Sequence, residues 1–330
     1  MTTDGNLREF LVSRRARLDP AELGLPPSST TRRRRGLRRE EVAALAGVSV
    51  DYYARLEQGR VGAVSDQVLS AIEDALRLDE LERRHLRALV AGQARRPATA
   101  PAGQPPSRPG LRAGLRELVA ALDPIPAMVQ NRRMDVLAIN RAGSVLLADF
   151  PAMPARDRNI LRWLFLDPST HTRYPDWEEV ASMTVASLRA AREPGRPDEQ
   201  LERLVGELSV ASPQFAAWWA DYRLHQHSHG PKRIFHEAVG VLDLRYESLD
   251  IPRSGGQTLT LYTAAAGSPA DEKLRILLSW DASTVLPHPS FRHRSFRHRS
   301  FRHRSFRHRS FRHRRPGVGR DRPAGISARW

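Results

Sequence analysis

The stretch GLRREEVAALAGVSVDYYARLEQGR, residues 36–60, predicts the fold of the amino-terminal part of the chain. Four small or aliphatic side chains at helical spacing predict one apolar helix face: Val42, Ala43, Leu45 and Ala46. Gly47 follows where a helix end favours left-handed backbone, and Ser49 is placed to cap a second helix. Tyr53 and Leu56 then face inward. This spacing is typical of a helix-turn-helix, with a chance helical hairpin as the alternative.

Helical periodicity continues on both sides of this stretch. A first helix is indicated upstream by Leu7, Phe10, Leu11 and Leu18, before Pro20 breaks the chain. A further amphipathic helix is indicated downstream by Val68, Leu69, Ile72, Ala75 and Leu76. Asp79 and Glu82 are placed to open a last one, which carries Leu81, Leu86, Leu89 and Val90. We therefore expect about five helices in a mostly α-helical domain over residues 1–91.

The rest of the chain divides into three segments. Residues 92–110, GQARRPATAPAGQPPSRPG, are rich in Pro and Gly and predict an extended linker. Residues 111–280 form a second domain. Residues 281–330 contain SFRHR repeated in tandem from Ser290, a period that offers no apolar stripe and predicts a disordered tail. A salt-sensitive contact with polyanions and an incidental repeat expansion are both open for this tail.

Composition narrows the class of protein. The length of 330 residues suits about two domains, and the absence of cysteine excludes disulfides, thiolate metal sites and a cysteine nucleophile. No apolar run approaches the roughly 18 residues that span a bilayer, and MTTDGNLREF lacks the order of a signal peptide. We therefore expect a cytoplasmic protein with no membrane partner. Of the formal net charge of +16, only +4 belongs to residues 1–280, so the overall charge says little about partners.

The second domain mixes helical and strand signals. Strands are predicted at residues 127–131, 134–140, 239–249 and 257–264, and helices near 115–122, 141–149, 157–165, 176–192, 199–222 and 271–280. Because strands lie at both ends with helices between them, we expect an α+β domain in which an antiparallel sheet carries its helices on one side.

Several separated motifs together resemble one family. The helix-turn-helix stretch, with RRARLDPAELGLPP at 14–27 and TRRRRGLR at 31–38, is similar to the DNA-binding domain of Xre-type regulators of the MmyB-like subgroup. The second domain resembles the PAS-like ligand-binding domain of the same subgroup. Its matching segments are IPAMVQNRRMDVLAIN, RNILRWLFLDP, YPDWEEVA, LVGELSVASPQFAAWW and LDLRYESL. The resemblance covers about residues 7–280 and stops before the tail.

The resemblance implies which residues meet DNA. A recognition helix from Ser49 to about Gln58 would direct its outer face to base edges in the major groove through Ser49, Val50, Asp51, Ala54 and Arg55. Arg55 is the candidate for a bidentate contact to guanine. Phosphate contacts are expected from Arg32, Arg33, Arg34, Arg35, Arg38, Arg39, Tyr52 and Gln58. Pairing of some arginines with Glu40 and Glu41 is the alternative.

The resemblance also implies a cavity between sheet and helices for an amphipathic, fatty-acid-like small molecule. The aromatic candidates for its lining are Trp163, Phe165, Tyr174, Trp177, Phe215, Trp218, Trp219 and Tyr222, which ordinary core packing would explain equally well. The candidates for a polar anchor that would hold a carboxylate are Arg162, His229 and Arg245.

Signals for an enzyme are weak. His225, His227 and His229 alternate in HQHSHG, but Gly230 and Pro231 favour a solvated loop, and no fourth metal ligand is evident. GxSxG, Walker A and GxGxxG patterns are absent from the sequence. No catalytic residue, metal or cofactor is therefore predicted.

The sequence favours a sequence-specific transcription regulator. It would act as a homodimer on double-stranded DNA under the control of a small-molecule ligand, in the bacterial cytoplasm and on the nucleoid when bound. Two alternatives remain open. One is a ligand- or metal-dependent enzyme that carries a nucleic-acid-tethering helical module. The other is a scaffold whose helical module binds protein.

Overall fold

A computed structural model of the protein describes residues 3–25, 36–94, 110–193, 198–226 and 228–285. Four predictions lie wholly or mostly outside the described residues. They concern the run Arg32 to Arg35, the residue His227, the 92–110 linker and the repeat tail.

Five helices form the first domain, as predicted. They are α1 (Thr3–Arg17), α2 (Arg39–Leu45), α3 (Val50–Glu57), α4 (Asp66–Ala75) and α5 (Glu80–Ala94). Gly47 has a φ of 64° in the turn after α2, and the Ser49 hydroxyl caps α3 by accepting a hydrogen bond from the Tyr52 amide at 3.1 Å. The predicted helix-turn-helix is therefore confirmed. Helix α5 continues to Ala94, past the predicted domain end at residue 91.

The approach to α2 is packed tightly against the end of α1. Leu37 is buried, and its amide donates to the Arg15 carbonyl at 2.9 Å. Gly36, with a φ of 102°, lies so close to α1 that a Cβ at this position would be 2.6 Å from the Ala16 Cα. A residue with a side chain does not fit there without moving backbone, so Gly36 sets the position of the helix-turn-helix relative to α1.

We expect the Gly36→Ala substitution to lower the free energy of unfolding by about 1–3 kcal/mol, because the added methyl group meets backbone and the left-handed φ remains. Chemical denaturation followed by circular dichroism measures this change. Gly62→Ala is the matched control, since an added Cβ there meets no atom within 4 Å. Equal stability of the two variants would contradict the tight contact.

The second domain combines helices with a five-stranded sheet. Its helices in the described residues are α6 (Ala113–Ala121), α7 (Arg141–Leu146), α8 (Ile160–Leu166), α9 (Ser169–Arg173), α10 (Trp177–Ala190), α11 (Glu199–Ala211), α12 (Pro213–Ala220) and α13 (Pro269–Val285). Its strands are β1 (Ala127–Gln130), β2 (Val136–Ile139), β3 (His229–His236), β4 (Gly240–Asp250) and β5 (Thr258–Thr263). The predicted α+β class is confirmed.

The sheet is antiparallel throughout, in the order β2-β1-β5-β4-β3. On one face Met128 joins the large core formed with helices α7, α8, α10 and α13. On the other face Val129 packs with Leu115 and Val119 of α6. The expectation that all helices lie on one side of the sheet is therefore wrong for α6. Both faces of β1 are apolar, so both need cover.

The end of the histidine-rich segment, predicted as a loop, forms the start of strand β3. The strand begins at His229 and includes Gly230 and Pro231. It lies at the edge of the sheet and pairs with β4 alone, and an edge position tolerates proline, which has no amide proton to donate. At the other boundary, α13 continues to Val285, so the predicted start of the tail at Asp281 falls inside a helix.

Tyr222 joins the two domains, which belong to one compact unit. It follows α12 with a φ of 54°, and its ring is buried in the core of the first domain. The ring centroid lies 5.7 Å from that of Phe10 and 6.0 Å from that of His85. Arg14 of α1 donates to the Tyr222 carbonyl at 2.9 Å. A residue of the second domain thus completes the core of the first.

The end of α10 also lies at this junction. The guanidinium carbon of Arg189 is 3.9 Å from the ring centroids of both Trp219 and Tyr222. Its Nη1 lies 3.6 Å from Glu9 Oε2 on α1. Arg192, just after α10, donates to Asn6 Oδ1 of α1 at 3.0 Å. Helix α10 therefore links the second domain to the first helix of the DNA-binding fold.

Candidate DNA-binding helix and ligand cavity

Helix α3 presents a polar face to solvent. Ser49, Asp51 and Arg55 are exposed, Val50 is 48% exposed and Ala54 is half-buried. These are the five residues predicted to face base edges, and the structure brings them together on one open surface. The Ser49 hydroxyl is already engaged as the cap of α3.

Arg55 is held by a weak surface contact. Its Nε lies 3.3 Å from Asp51 Oδ2, one helical turn earlier, and the two side chains are 55% and 82% exposed. An exposed pair at this spacing contributes only about 0.3–0.5 kcal/mol. Asp51 therefore orients the guanidinium and leaves it free to move to another acceptor.

Arg39 lies against a buried carboxylate. Its Nε and Nη2 both donate to Glu57 Oε1, at 2.9 Å and 2.7 Å. The Glu57 side chain is fully buried, and Arg15 Nε lies 3.4 Å from its other oxygen. The hydrogen bond to Glu57 raises the pKa of Arg39 above its ordinary value. Arg39 thus ties α2 to α3, and its phosphate contact stays a prediction.

The other predicted phosphate contacts lie around the same helices. Arg38 has its Nη1 3.3 Å from Glu40 Oε1, the pairing considered above as the alternative. Tyr52 and Gln58 are half-buried. Gln58 is the C-cap of α3, and its backbone amide donates to the Ala54 carbonyl.

The second domain encloses a small cavity of about 40 Å³ between the sheet and helices α8 and α10. Its apolar lining includes Met128, Ile160, Trp163, Leu164, Tyr174, Val180 and Tyr262. Its polar lining includes Gln130, Thr184, Ser187, Lys232 and Thr260. Apolar walls with a few polar groups are typical of small-molecule sites.

Lys232 is the charged group of this cavity. The residue is 8% exposed, and its Nζ lies 4.9 Å from the centroid of the Tyr246 ring. Within the described part of the chain it has no hydrogen bond or ion pair. Burial lowers the pKa of Lys232 to about 8, an effect that the charge of Glu179 partly offsets. The same positive charge contributes, after burial, to a lowered pKa at His225.

Comparison with family models identifies both domains. The description "MmyB-like transcription regulator ligand binding domain" matches residues 111–277, and "Helix-turn-helix domain" matches residues 30–86. The first match alone spans more than half of the chain. The chain belongs to the MmyB-like transcription regulators. Comparison with curated proteins found no significant match, so the assignment rests on these two family models. Among the described residues, no helix is long and apolar enough to cross a membrane.

The predicted polar anchors lie elsewhere in this MmyB-like regulator. Arg162 forms a forked ion pair with Glu207 on the surface. His229 is exposed and contacts Ser228, and Arg245 is exposed on β4. Side chains alternate between the faces of a strand, so Arg245 points away from the core in which its neighbour Leu244 is buried. None of the three contributes to the cavity lining.

Lys232 was missed, although the sequence held two signals for it. Lys232 and Lys273 are the only lysines among 53 Lys and Arg residues. Lys232 also alternates with Ile234 on the buried face of β3. Gly230 and Pro231 favoured a loop, so the alternation that follows them was not read as a strand. The edge position of β3, which tolerates proline, depends on the whole sheet.

The predicted aromatic residues separate into three groups. Trp163 and Tyr174 line the cavity. Five others pack as core around it: Phe165, Trp177 and Trp218, which contact one another, and Phe215 stacked on Trp219. Tyr222 lies in the core of the DNA-binding domain. The core interpretation therefore describes most of this set.

The alternating histidines do not assemble a metal site in the described residues, where no group of three His, Asp or Glu side chains is placed to hold an ion. His225 is half-buried before β3, whereas His229 is exposed in the strand.

We expect Arg39→Ala to lower the free energy of unfolding by about 1–2 kcal/mol, because the buried Glu57 carboxylate loses its forked partner. Loss of a fully buried pair costs about 3–5 kcal/mol, and the 41% exposure of Arg39 reduces that figure. Denaturant titration measures the change. The control is Arg55→Ala, which should leave stability within about 0.5 kcal/mol. Equal stability of the two variants would contradict the structural role of Arg39.

Proposed function

We propose that this transcription regulator binds specific DNA sequences through the open face of α3 and that a small amphipathic anion, bound in its second domain, controls this binding. The ligand part of the proposal rests on Lys232, which is buried in an apolar cavity and has no hydrogen bond or ion pair among the described residues. The exposed face of α3 within a matched helix-turn-helix supports the DNA part.

The geometry of α3 suits the major groove. A recognition helix reads base edges with exposed side chains of its first turns, and Asp51 and Arg55 occupy these positions. Arg55 is the group that matches the two acceptors of guanine. Regulators of this type act as dimers on half-sites about one helical turn apart, so we propose a homodimer and a nearly palindromic operator. Binding to chromosomal DNA would place the protein in the cytoplasm.

We expect Arg55→Ala to weaken binding to the preferred site by about 1–3 kcal/mol and to relax base preference at one position of each half-site. Selection from a random DNA pool at near-physiological salt, followed by titration of the selected site, measures both effects. Arg60→Ala is the control, because Arg60 is exposed just beyond α3 and carries the same charge. An unchanged consensus for Arg55→Ala would remove this residue from base recognition.

The cavity is suited to an anion. A buried ammonium group without a partner is costly in free energy, and a carboxylate beside it would relieve that cost. The apolar walls around Lys232 favour a ligand whose remaining part is hydrocarbon. Lys232 thus takes the anchoring role that the sequence suggested for Arg162, His229 or Arg245.

Binding of a carboxylate should weaken as the pH rises above about 8, by roughly tenfold per pH unit, because the free cavity then loses the Lys232 proton that the anion requires. Calorimetric titration with dodecanoate across this range measures the effect. Lys232→Met should bind weakly and without this pH dependence. Lys273→Met should keep it, since the Lys273 Nζ donates to the Val241 carbonyl at 2.8 Å outside the cavity. Binding that ignores pH would contradict the anchor.

A further inference from the structure

The inner cavity is too small for an amphipathic ligand of ordinary size. At about 40 Å³ it accepts about three water-sized groups, since one such group needs roughly 10–15 Å³. This volume suffices for a carboxylate group beside Lys232 and little more. A longer ligand must extend beyond the cavity.

A cleft of about 750 Å³ lies between the two domains. One wall is α5 of the DNA-binding domain, with Leu81, Arg84 and Ala88. The opposite wall comprises the end of α10 and the turn between β4 and β5. Three residues line both the cleft and the inner cavity: Gln130, Met134 and Ser187. The cleft therefore meets the cavity at these side chains.

The chemistry of the cleft suits the continuation of such a ligand. Apolar surface comes from both domains, through Leu81, Ala88, Ala190, Ala191 and Ile251. The charged lining has both signs, from Arg84, Arg132 and Arg253 and from Glu193 and Asp250, and Arg132 pairs with Glu193. At the passage, Gln130 Oε1 is buried and has no hydrogen-bond partner among the described residues. A buried acceptor without a donor is costly, and a water molecule or a hydroxyl group of a bound molecule at this point would supply one.

We infer that the cleft is the outer part of the ligand site, so that an elongated amphipathic anion anchored at Lys232 passes Gln130, Met134 and Ser187 and packs its distal end against α5. This inference rests on the proposed function, because it extends the same ligand. It also assigns the ligand a direct contact with the DNA-binding domain. A ligand that touches both domains binds their packed arrangement more tightly than any other, which is the requirement for control of DNA binding.

The test compares ligands of two lengths with two tryptophan variants of the full chain. Propanoate represents a ligand confined to the inner cavity, and dodecanoate represents one that reaches the cleft. Ala88→Trp fills the cleft from α5. Ala91→Trp is the matched control, because Ala91 is exposed on the same helix and does not line the cleft. Calorimetry gives affinity, and titration of the selected DNA site with each acid present gives the effect on DNA binding.

We expect Ala88→Trp to weaken dodecanoate binding by roughly tenfold or more, the effect of about two methylene groups leaving an apolar site, and to leave propanoate binding unchanged. Ala91→Trp should match the wild type for both acids. Dodecanoate, but not propanoate, should change the affinity for DNA.

Two results would overturn the inference, and they are distinguishable. Equal dodecanoate affinity in Ala88→Trp and Ala91→Trp would exclude the cleft and leave the anchor at Lys232 in place. If neither propanoate nor dodecanoate binds the wild-type protein, both the cleft as part of the site and the anionic ligand of the proposed function are overturned.

Discussion

The architecture of this protein depends on the burial of Tyr222 in a core that belongs to another domain. Its ring packs with Phe10 and His85, and Arg14 binds its carbonyl oxygen. Burial, reinforced by the charge of Arg14, lowers the pKa of His85 to about 4, so the imidazole is neutral near pH 7 and packs as an aromatic ring. Together with the polar contacts of Arg189 and Arg192 to α1, this contact fixes the DNA-binding domain against the second domain, and the walls of the cleft depend on that position.

Helix α10 connects this junction to the ligand cavity. Thr184 and Ser187 face the cavity, and Arg189 is stacked on Trp219 and Tyr222 only two residues later. A displacement of α10 at the cavity would therefore move a buried guanidinium at the junction with α1. Close-packed cores do not absorb such shifts gradually, so in the proposed function α10 is the element through which ligand binding would alter the packing of the two domains.

Charge is used differently in the two domains. In the DNA-binding domain, Glu57 and Glu73 are fully buried, and each forms ion pairs with arginines that hold the helices together. In the described part of the ligand-binding domain, Lys232 is buried against the Tyr246 ring and has no hydrogen bond or ion pair. The first arrangement pairs opposite charges within the domain. In the proposed function, the second would be completed by an anionic ligand.

The sequence by itself determined what depends on neighbours along the chain: the helix-turn-helix with its Gly47 turn and Ser49 cap, the exposed position of Arg55, and the α+β character of the second domain. Helical period, caps and turn residues act over a few positions, so these features can be predicted from the sequence. Only the tertiary structure decided that Arg39 binds Glu57, that β3 is an edge strand which tolerates Pro231, and that Lys232 faces a cavity. Each of these depends on contacts between residues distant in sequence, and local patterns carry no information about which partners burial brings together.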